Sequence, residues 1–361
     1  MIQLLTWIMA AGALLGGLDR MLGNRFGLGK PFEEGFQMLG AVALSMAGII
    51  CLAPILSGTL GHLIVPVYHA LHQDPAMFGS ILAIDMGGYQ MALGLADDPL
   101  VGRYAGILAG SILGCTVSFT IPTSMGLFHG EDRENFAKGL LYGLIALPFA
   151  QVLGALLCGI SLLPALYLNL PVLLLSLFLI FALSRYPDRT LRGFGIFAAF
   201  LKILTTLGLA VGAFQYISGI TLIPAMTPLE DAMKIICGIC ITLLGSLPVA
   251  EILKRVLRRP MARIGQRMGI GEEGVMGFLL FYLNATPGLV SVPQMNRRGQ
   301  ILNGAFAVAS ASCLTAHFAF TMQSEPALAM PLLLTKLFGG ILGAAIAYAA
   351  TSHAASRSRH P

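Results

Sequence analysis

The chain has 361 residues, of which 56% are hydrophobic and only 11% are charged, with a mean hydropathy of +0.81 and a formal net charge of +5 at pH 7. A water-soluble domain carries about 25% charged residues, so this composition excludes a soluble globular protein. Asp, Glu, Lys and Arg are absent from residues 35–73, 104–128, 139–184 and 203–229. Because a helix that spans a bilayer needs about 20 apolar residues, these runs predict an all-α, polytopic transmembrane protein.

Lys and Arg collect at residues 20–30, 185–192, 254–267, 297–298 and 357–359. Cytoplasmic loops of membrane proteins are rich in these residues, so the positive charge indicates topology and not a nucleic-acid partner. Placing every cluster in the cytoplasm gives one path, with an outer N-terminus and a cytoplasmic C-terminus. Its nine full crossings are residues 2–22, 33–57, 102–123, 136–160, 161–184, 192–217, 231–255, 299–322 and 328–351. Two further apolar segments, 75–96 and 273–291, must leave the membrane on the side where they enter it.

The surroundings of these two segments resemble one another at an offset of about 194 to 198 residues, a pattern typical of an internal repeat. The matched stretches are FEEGF (32–36) with LEDAM (229–233), AMFGSILAIDMGG (76–88) with GVMGFLLFYLNAT (274–286), and GILAGSILGCTVSFT (106–120) with QILNGAFAVASASCL (300–314). We therefore interpret the chain as one transporter domain, 1–361, with repeat units at about 30–125 and 228–322. Helices within 134–217 connect the repeats, and helices 2–22 and 328–351 flank them.

The charges of equivalent loops predict that the repeat is inverted. Segment 58–72 has no Lys or Arg, whereas its counterpart, 254–267, has six. Equivalent loops of such different charge belong on opposite sides of the membrane.

Each segment that does not cross carries a polar break in the middle of an apolar run. Lipid does not tolerate unsatisfied backbone groups, so a broken helix must be buried in protein or line a cavity. Paired broken segments in corresponding halves indicate the binding site of a transporter. We predict substrate contacts from Asp85, Gly87, Gly88 and Tyr89 in the first break and from Asn284 and Thr286 in the second. Asp85 and Asn284 are expected to approach one another near the middle of the membrane.

Two groups of acids have alternative interpretations. A carboxylate in the bilayer centre costs about 2.5–3.5 kcal/mol or more, which favours a functional role for Asp85, but pairing with Lys336 is the structural alternative. Glu33 and Glu34 are added to the predicted binding residues because they could draw a cation into the cavity. Acids at a helix start also offset the helix dipole, and this alternative stays open for both residues.

The motifs FEEGFQMLGAVALSMAG, PAMFGSILAIDMGGYQMA and SFTIP resemble those of the EutH family of ethanolamine permeases. The resemblance is clearest from residue 18 to about residue 125 and continues more faintly to the end of the chain. It implies a multi-pass protein of the bacterial inner membrane that imports ethanolamine, in a cell that also has ethanolamine-degrading enzymes. It supplies no residue list, so the site residues above rest on the sequence pattern.

Ethanolamine fits those residues chemically, since a primary amine is mostly protonated at neutral pH. A carboxylate or carbonyl groups could bind its ammonium, an amide or hydroxyl its alcohol, and Tyr89 or Tyr282 could add a cation–π contact. The predicted mechanism is alternating access. The sequence contains no P-loop, no H-E-x-x-H and no G-x-S-x-G, so we expect no ATP site, no enzyme activity, no cofactor and no metal. A proton or Na⁺ as coupling ion, a homo-oligomer, and a channel or facilitator for ammonia or another small amine or ion are left open.

Overall fold

The computed structural model describes residues 2–82 and 85–357, except for the side chains of Asp85 and residues 353–357. This part of the chain is almost entirely helical and contains no strand. Its helices of membrane-spanning length and hydropathy are Ile2–Met21, Gly29–Ala70, Pro99–Leu127, Gly130–Leu157, Pro187–Ser218, Leu229–Met268, Arg297–Ser324 and Pro326–Ser352. The pair Leu162–Leu168 and Leu170–Arg185, bent by 43°, makes a ninth span. The prediction of an all-α, polytopic membrane protein is confirmed.

Each of the nine predicted crossings coincides with one of these segments, but two continue well beyond the predicted end. The crossing predicted at 33–57 is a helix as far as Ala70, and the one predicted at 231–255 is a helix as far as Met268. The glycines and Pro66 in the first extension do not stop the helix, because a membrane protein can re-satisfy the backbone groups that a proline frees. The segments interpreted as loops are therefore helical, while the predicted orientation stays a prediction.

Two spans are irregular along their length. Pro99–Leu127 contains the π-helical segments Tyr104–Ala109 and Cys115–Thr120. Arg297–Ser324 is α-helical as far as Ser310 and resumes through the π-helical segment Cys313–His317. Single π-helical turns inside α-helices occur frequently at functional sites. Both irregular spans directly follow a segment that does not cross.

The two segments that do not cross are short helical hairpins. The first hairpin, residues 76–95, has the arms Ala76–Ile81 and Gly88–Leu95, with a 3₁₀ turn at Asp85–Gly87. The second hairpin, residues 271–291, has the arms Gly271–Leu283 and Ala285–Ser291, which meet at Asn284. A 3₁₀ turn at Val292–Gln294 follows it.

The chain divides into two compact units. The first unit contains the residues up to Gly114, Ile196–Leu253 and Leu314–Leu332, and it includes the first hairpin. The second unit contains Cys115–Gly195, Lys254–Cys313 and the residues from Leu333 onward, and it includes the second hairpin. The predicted single transporter domain with its repeat units stays a prediction.

Glycines allow the helices to touch at their crossings inside each unit. In the first unit, a methyl group on Gly48 would overlap the carbonyl oxygen of Thr205, and one on Gly208 would overlap that of Gly48. In the second unit, Gly139 lies equally close to the Ile301 carbonyl. Lipid tails are as apolar as leucine, so helices in a membrane associate through close packing of small residues and not through a hydrophobic driving force.

Replacing Gly48 by Ala is expected to destabilise the protein by about 1–3 kcal/mol, because the added methyl group forces the two helix backbones apart. The matched control is Gly40→Ala in the same helical segment, where no atom lies within 4 Å of the new methyl group. Thermal unfolding of both variants in detergent measures the difference. Equal melting temperatures for the two variants would show that the crossing is not tightly packed.

The topology predicts that a green fluorescent protein fused to the C-terminus will fluoresce, because that end is expected in the cytoplasm. Alkaline phosphatase fused after Leu222, between two spans, is expected on the outer side and should be active. Whole-cell fluorescence and phosphatase activity measure the two fusions. Non-fluorescent cells together with an inactive phosphatase would show that the chain has the opposite orientation in the membrane.

Candidate functional site

The ends of each hairpin are tied together by hydrogen bonds. In the first unit, Asp74 accepts hydrogen bonds from the backbone N–H of Ala76 (2.8 Å), at the start of the first arm, and of Asp98 (3.0 Å), after the second arm. Burial raises the pKa of the Asp74 carboxyl, and these backbone donors act in the opposite direction. In the second unit, the Asn296 amide donates to the Gly269 carbonyl (3.1 Å). Each segment therefore returns to the place from which it starts.

Glycine is required in the first hairpin because its two arms touch. A Cβ atom on Gly88 would lie 2.9 Å from the carbonyl oxygen of Gly79 in the opposite arm. Gly79 itself faces Ala92 at a distance that leaves no room for a side chain. Gly87 ends the 3₁₀ turn that begins at Asp85. Gly88 thus has a packing function, and the predicted substrate contacts of Gly87 and Gly88 stay predictions.

The side chain of Asp85 lies outside the described residues, so its predicted contact with substrate stays a prediction. Lys336, its alternative partner, is buried with 1% of its surface exposed. The predicted approach of Asp85 to Asn284 likewise stays a prediction.

Among the predicted residues of the first hairpin, Tyr89 is the one whose side chain has defined contacts. It is buried, and its hydroxyl donates a hydrogen bond to Oε1 of Glu325 (2.8 Å). Its ring packs edge-on against Phe320, with the centroids 5.7 Å apart. The Arg103 guanidinium lies 4.0 Å from the same carboxylate oxygen.

The sequence pattern does not single out Glu325, Phe320 or Arg103. Glu325 occupies a short connection between two apolar runs, where an acid normally caps the next helix. Only the fold brings it to Tyr89, 236 residues away in the sequence.

Asn284 starts the second arm of the second hairpin. Its backbone is extended (φ −153°, ψ 132°), and its side-chain Oδ1 accepts a hydrogen bond from the N–H of Thr286 (3.0 Å). Asparagine is among the preferred residues for this N-cap position. The amide nitrogen of Asn284 donates to none of the residues that the structure describes, and Thr286 is exposed. Asn284 thus has a structural function, and the predicted substrate contacts of Asn284 and Thr286 stay predictions.

A second helix break lies against the first in the second unit. Ser312 has a left-handed backbone (φ 56°), and its N–H donates to the Phe281 carbonyl (2.9 Å). Its hydroxyl accepts a hydrogen bond from the N–H of Ala285 (3.0 Å). The two breaks therefore satisfy one another's backbone groups. Nothing in the stretch ASASC distinguishes Ser312 from a serine inside a helix, so the sequence does not predict this break.

Glu33 and Glu34 line a cavity of about 610 Å³ in the first unit, together with Arg20, Met21, Gly23, Asn24, Gly29, Lys30 and Gln37. Glu33 forms an ion pair with Arg20 (2.9 Å), so its charge is partly compensated. Buried Asp19 accepts hydrogen bonds from the N–H groups of Leu28 and Gly29, where the helix that contains Glu33 and Glu34 begins. No residue of the first hairpin lines this cavity, so the predicted residues of the first unit fall in two separate places.

Among the residues that the structure describes, no group of three or more His, Cys, Asp or Glu side chains could hold a metal ion. The polar groups at the breaks are single acids, amides and hydroxyls. Such groups bind a small polar solute through hydrogen bonds and charge.

Apolar spans combined with broken hairpins define a multi-pass membrane protein of the transporter class. The family model described as "Ethanolamine utilisation protein, EutH" matches residues 1–350, and the chain belongs to this family. The resemblance seen in the sequence motifs is thereby confirmed.

Curated relatives cover nearly the whole chain. A "Probable ethanolamine permease EutH" of Listeria monocytogenes is 35% identical over 95% of this chain and 92% of its own length. One of the same name from Salmonella typhimurium is 32% identical over 96% and 94%. The "Uncharacterized protein YxeR" of Bacillus subtilis is 36% identical over 94% and 92%. No solved structure matches the chain. Permeases are transporters, so the family agrees with the expectation that the chain is not an enzyme.

Asn284→Ala is expected to destabilise the protein by about 0.5–2 kcal/mol, because the second arm loses its N-cap. Asn284→Ser keeps an oxygen that can cap Thr286 and should retain most of the stability. Thermal unfolding of the two variants in detergent provides the comparison. If both variants have the same melting temperature as the wild type, the cap does not stabilise the break.

Proposed function

We propose that the protein is a permease that carries ethanolamine, as the protonated amine, across the bacterial inner membrane into the cytoplasm. The observation that carries this proposal is the family match over residues 1–350, together with relatives that are named probable ethanolamine permeases. These relatives align with 95–96% of this chain, so the proposal concerns the whole protein and not a shared fragment.

The polar groups of the two hairpins suit the two ends of ethanolamine. Its ammonium needs a carboxylate or carbonyl oxygens, for which we propose Asp85 and the carbonyl groups near Gly87. Its hydroxyl needs a donor or an acceptor, for which we propose the amide nitrogen of Asn284 and the hydroxyl of Thr286. Glu33 and Glu34, at their separate cavity, are proposed to attract the cation on the cytoplasmic side.

Alternating access around an inverted repeat is the proposed mechanism, with the hairpins as moving gates. Local structure supports the repeat, because each hairpin is preceded by a helix longer than a membrane span and followed by a span with a π-helical segment. The segments Cys115–Thr120 and Cys313–His317 lie at the predicted offset of about 194–198 residues. The ties at the hairpin ends, through Asp74 and Asn296, leave the breaks as the points where each hairpin can bend.

The sequence has no P-loop, so we propose that transport is not driven by ATP bound to this chain. Facilitated diffusion of the cation down its own gradient and symport with a proton or Na⁺ are the two proposed modes. Uptake into vesicles with imposed pH or Na⁺ gradients separates them.

Purified protein in proteoliposomes is expected to take up radiolabelled ethanolamine with saturation kinetics, and Asp85→Asn should lower uptake about tenfold or more, because a charged hydrogen-bond partner of the ammonium is lost. The matched control is Asp97→Asn, an exposed acid that pairs with His69 near the first hairpin (2.8 Å). Size-exclusion profiles establish that each variant is folded.

Counterflow distinguishes a carrier from a channel. A carrier loaded with unlabelled ethanolamine accelerates entry of the label, whereas a channel does not. Uptake without saturation or counterflow would favour the facilitator for ammonia or another small amine. Absence of any uptake by the folded wild type would refute the permease proposal.

A further inference from the structure

Glu325 is a carboxylate that the proposed transport site does not include. It directly follows the helix Phe318–Ser324 in the first unit, and 24% of its side-chain surface is exposed. Oε1 accepts the hydrogen bond from Tyr89, while Oε2 has no hydrogen-bond partner among the residues that the structure describes. One oxygen of this carboxylate is therefore open to a donor.

The charge of Glu325 is only partly compensated. The Tyr89 hydroxyl is a neutral donor, so its hydrogen bond leaves the negative charge in place. The Arg103 guanidinium lies 4.0 Å from Oε1, which is too long for a hydrogen bond, and it is 46% exposed. Arg103 therefore attracts the carboxylate without occupying its hydrogen-bonding positions, and a competing cation can replace it.

Phe320 fixes the orientation of the Tyr89 ring. Tyr89 and Phe320 each have only 4% of their surface exposed, and their edge-to-face contact holds the Tyr89 ring in one orientation. Because both rings are buried, they present no open face to a cation. The group that Tyr89 presents is its hydroxyl, whose oxygen can still accept a hydrogen bond while its proton is donated to Glu325.

We propose that Glu325 and Tyr89 form a binding site for a small primary ammonium ion, in which the ammonium takes the place of Arg103 as the counter-ion of Glu325. Two N–H groups of the ammonium donate, one to the open carboxylate oxygen and one to the Tyr89 hydroxyl oxygen. In the predicted topology, the connection that holds Glu325 faces the outer side. The site is then the first to meet incoming substrate; this assignment of ethanolamine as its ligand rests on the proposed function.

Hydrogen-bond donors, and not positive charge alone, decide which cations bind here. A primary ammonium has three N–H donors. The quaternary ammonium of choline has none, and with no open aromatic face it gains neither hydrogen bonds nor a cation–π contact. The site therefore selects primary amines over their trimethylated analogues.

Transport kinetics test the site, because some substitutions are expected to raise KM for ethanolamine and another to lower it. Glu325→Gln is expected to raise KM for ethanolamine about tenfold or more, because a charge-assisted hydrogen bond is lost. Tyr89→Phe should raise it about two- to tenfold through loss of a neutral hydrogen bond. Arg103→Gln should lower KM about two- to fivefold, since the competing cation is removed. Asp97→Asn is the control and should leave KM unchanged. If the contact between Glu325 and Arg103 is purely structural, Glu325→Gln and Arg103→Gln should both impair transport, and neither should lower KM.

Binding without transport separates this inference from the permease proposal. Methylammonium, at rising concentration, is expected to raise the melting temperature of detergent-purified Asp85→Asn protein, in which the proposed ammonium contact at Asp85 is removed. Adding Glu325→Gln should abolish that shift, adding Arg103→Gln should increase it, and choline should produce none. Should Asp85→Asn fail to fold, the same two changes are made in the wild-type chain, where Glu325→Gln should reduce the shift and Arg103→Gln should increase it.

Each outcome bears on one proposal. A shift that is independent of Glu325, or an unchanged KM in folded Glu325→Gln protein that transports ethanolamine, would overturn the outer site alone. A Glu325-dependent shift in a protein that transports no ethanolamine would refute the permease and retain the site.

Discussion

Lipid offers no hydrogen bonds to a polypeptide backbone, and this constraint shapes every irregular feature of the fold. A helix broken inside an apolar chain frees N–H and C=O groups that need partners. At the second hairpin these partners are the Asn284 side chain, the Ser312 hydroxyl and the Ser312 N–H, which together satisfy Thr286, Ala285 and Phe281. In the second unit, the break at Asn284 and the break at Ser312 are stable because each supplies hydrogen-bond partners for the other.

The distribution of charge was sufficient to predict where the spans lie. Apolar runs between the clusters of Lys and Arg located the nine spans, and polar breaks at Gly88 and Asn284 located both hairpins, because burial in lipid excludes such groups elsewhere. Helix ends were wrong at Ala70 and Met268. Charge reports where a segment leaves the membrane, whereas a helix stops only where its backbone conformation changes, and neither extension contains a residue that forces this change.

Contacts between distant parts of the chain could not be predicted. Glu325 and Ser312 look like an ordinary helix cap and an ordinary packing serine, and their importance comes from partners far away in the sequence. Gly88 shows the complementary case. The sequence identifies it as a helix breaker, but only the structure reveals that the Gly79 carbonyl fills the space where a side chain would be. The sequence therefore predicts where a helix breaks, but not which distant residues contact the break.

The left-handed backbone of Ser312 places conformational strain at the break in this span. A non-glycine residue in this conformation costs of order 1–3 kcal/mol and persists only while its surroundings hold it there. The surroundings are two hydrogen bonds to the second hairpin, through Phe281 and Ala285. If the hairpin tilts, those bonds break, the strain at Ser312 is released, and the span is free to straighten. Hairpin position and span curvature are thereby linked through the same two hydrogen bonds, and a link of this kind can pass a local movement on to a whole span.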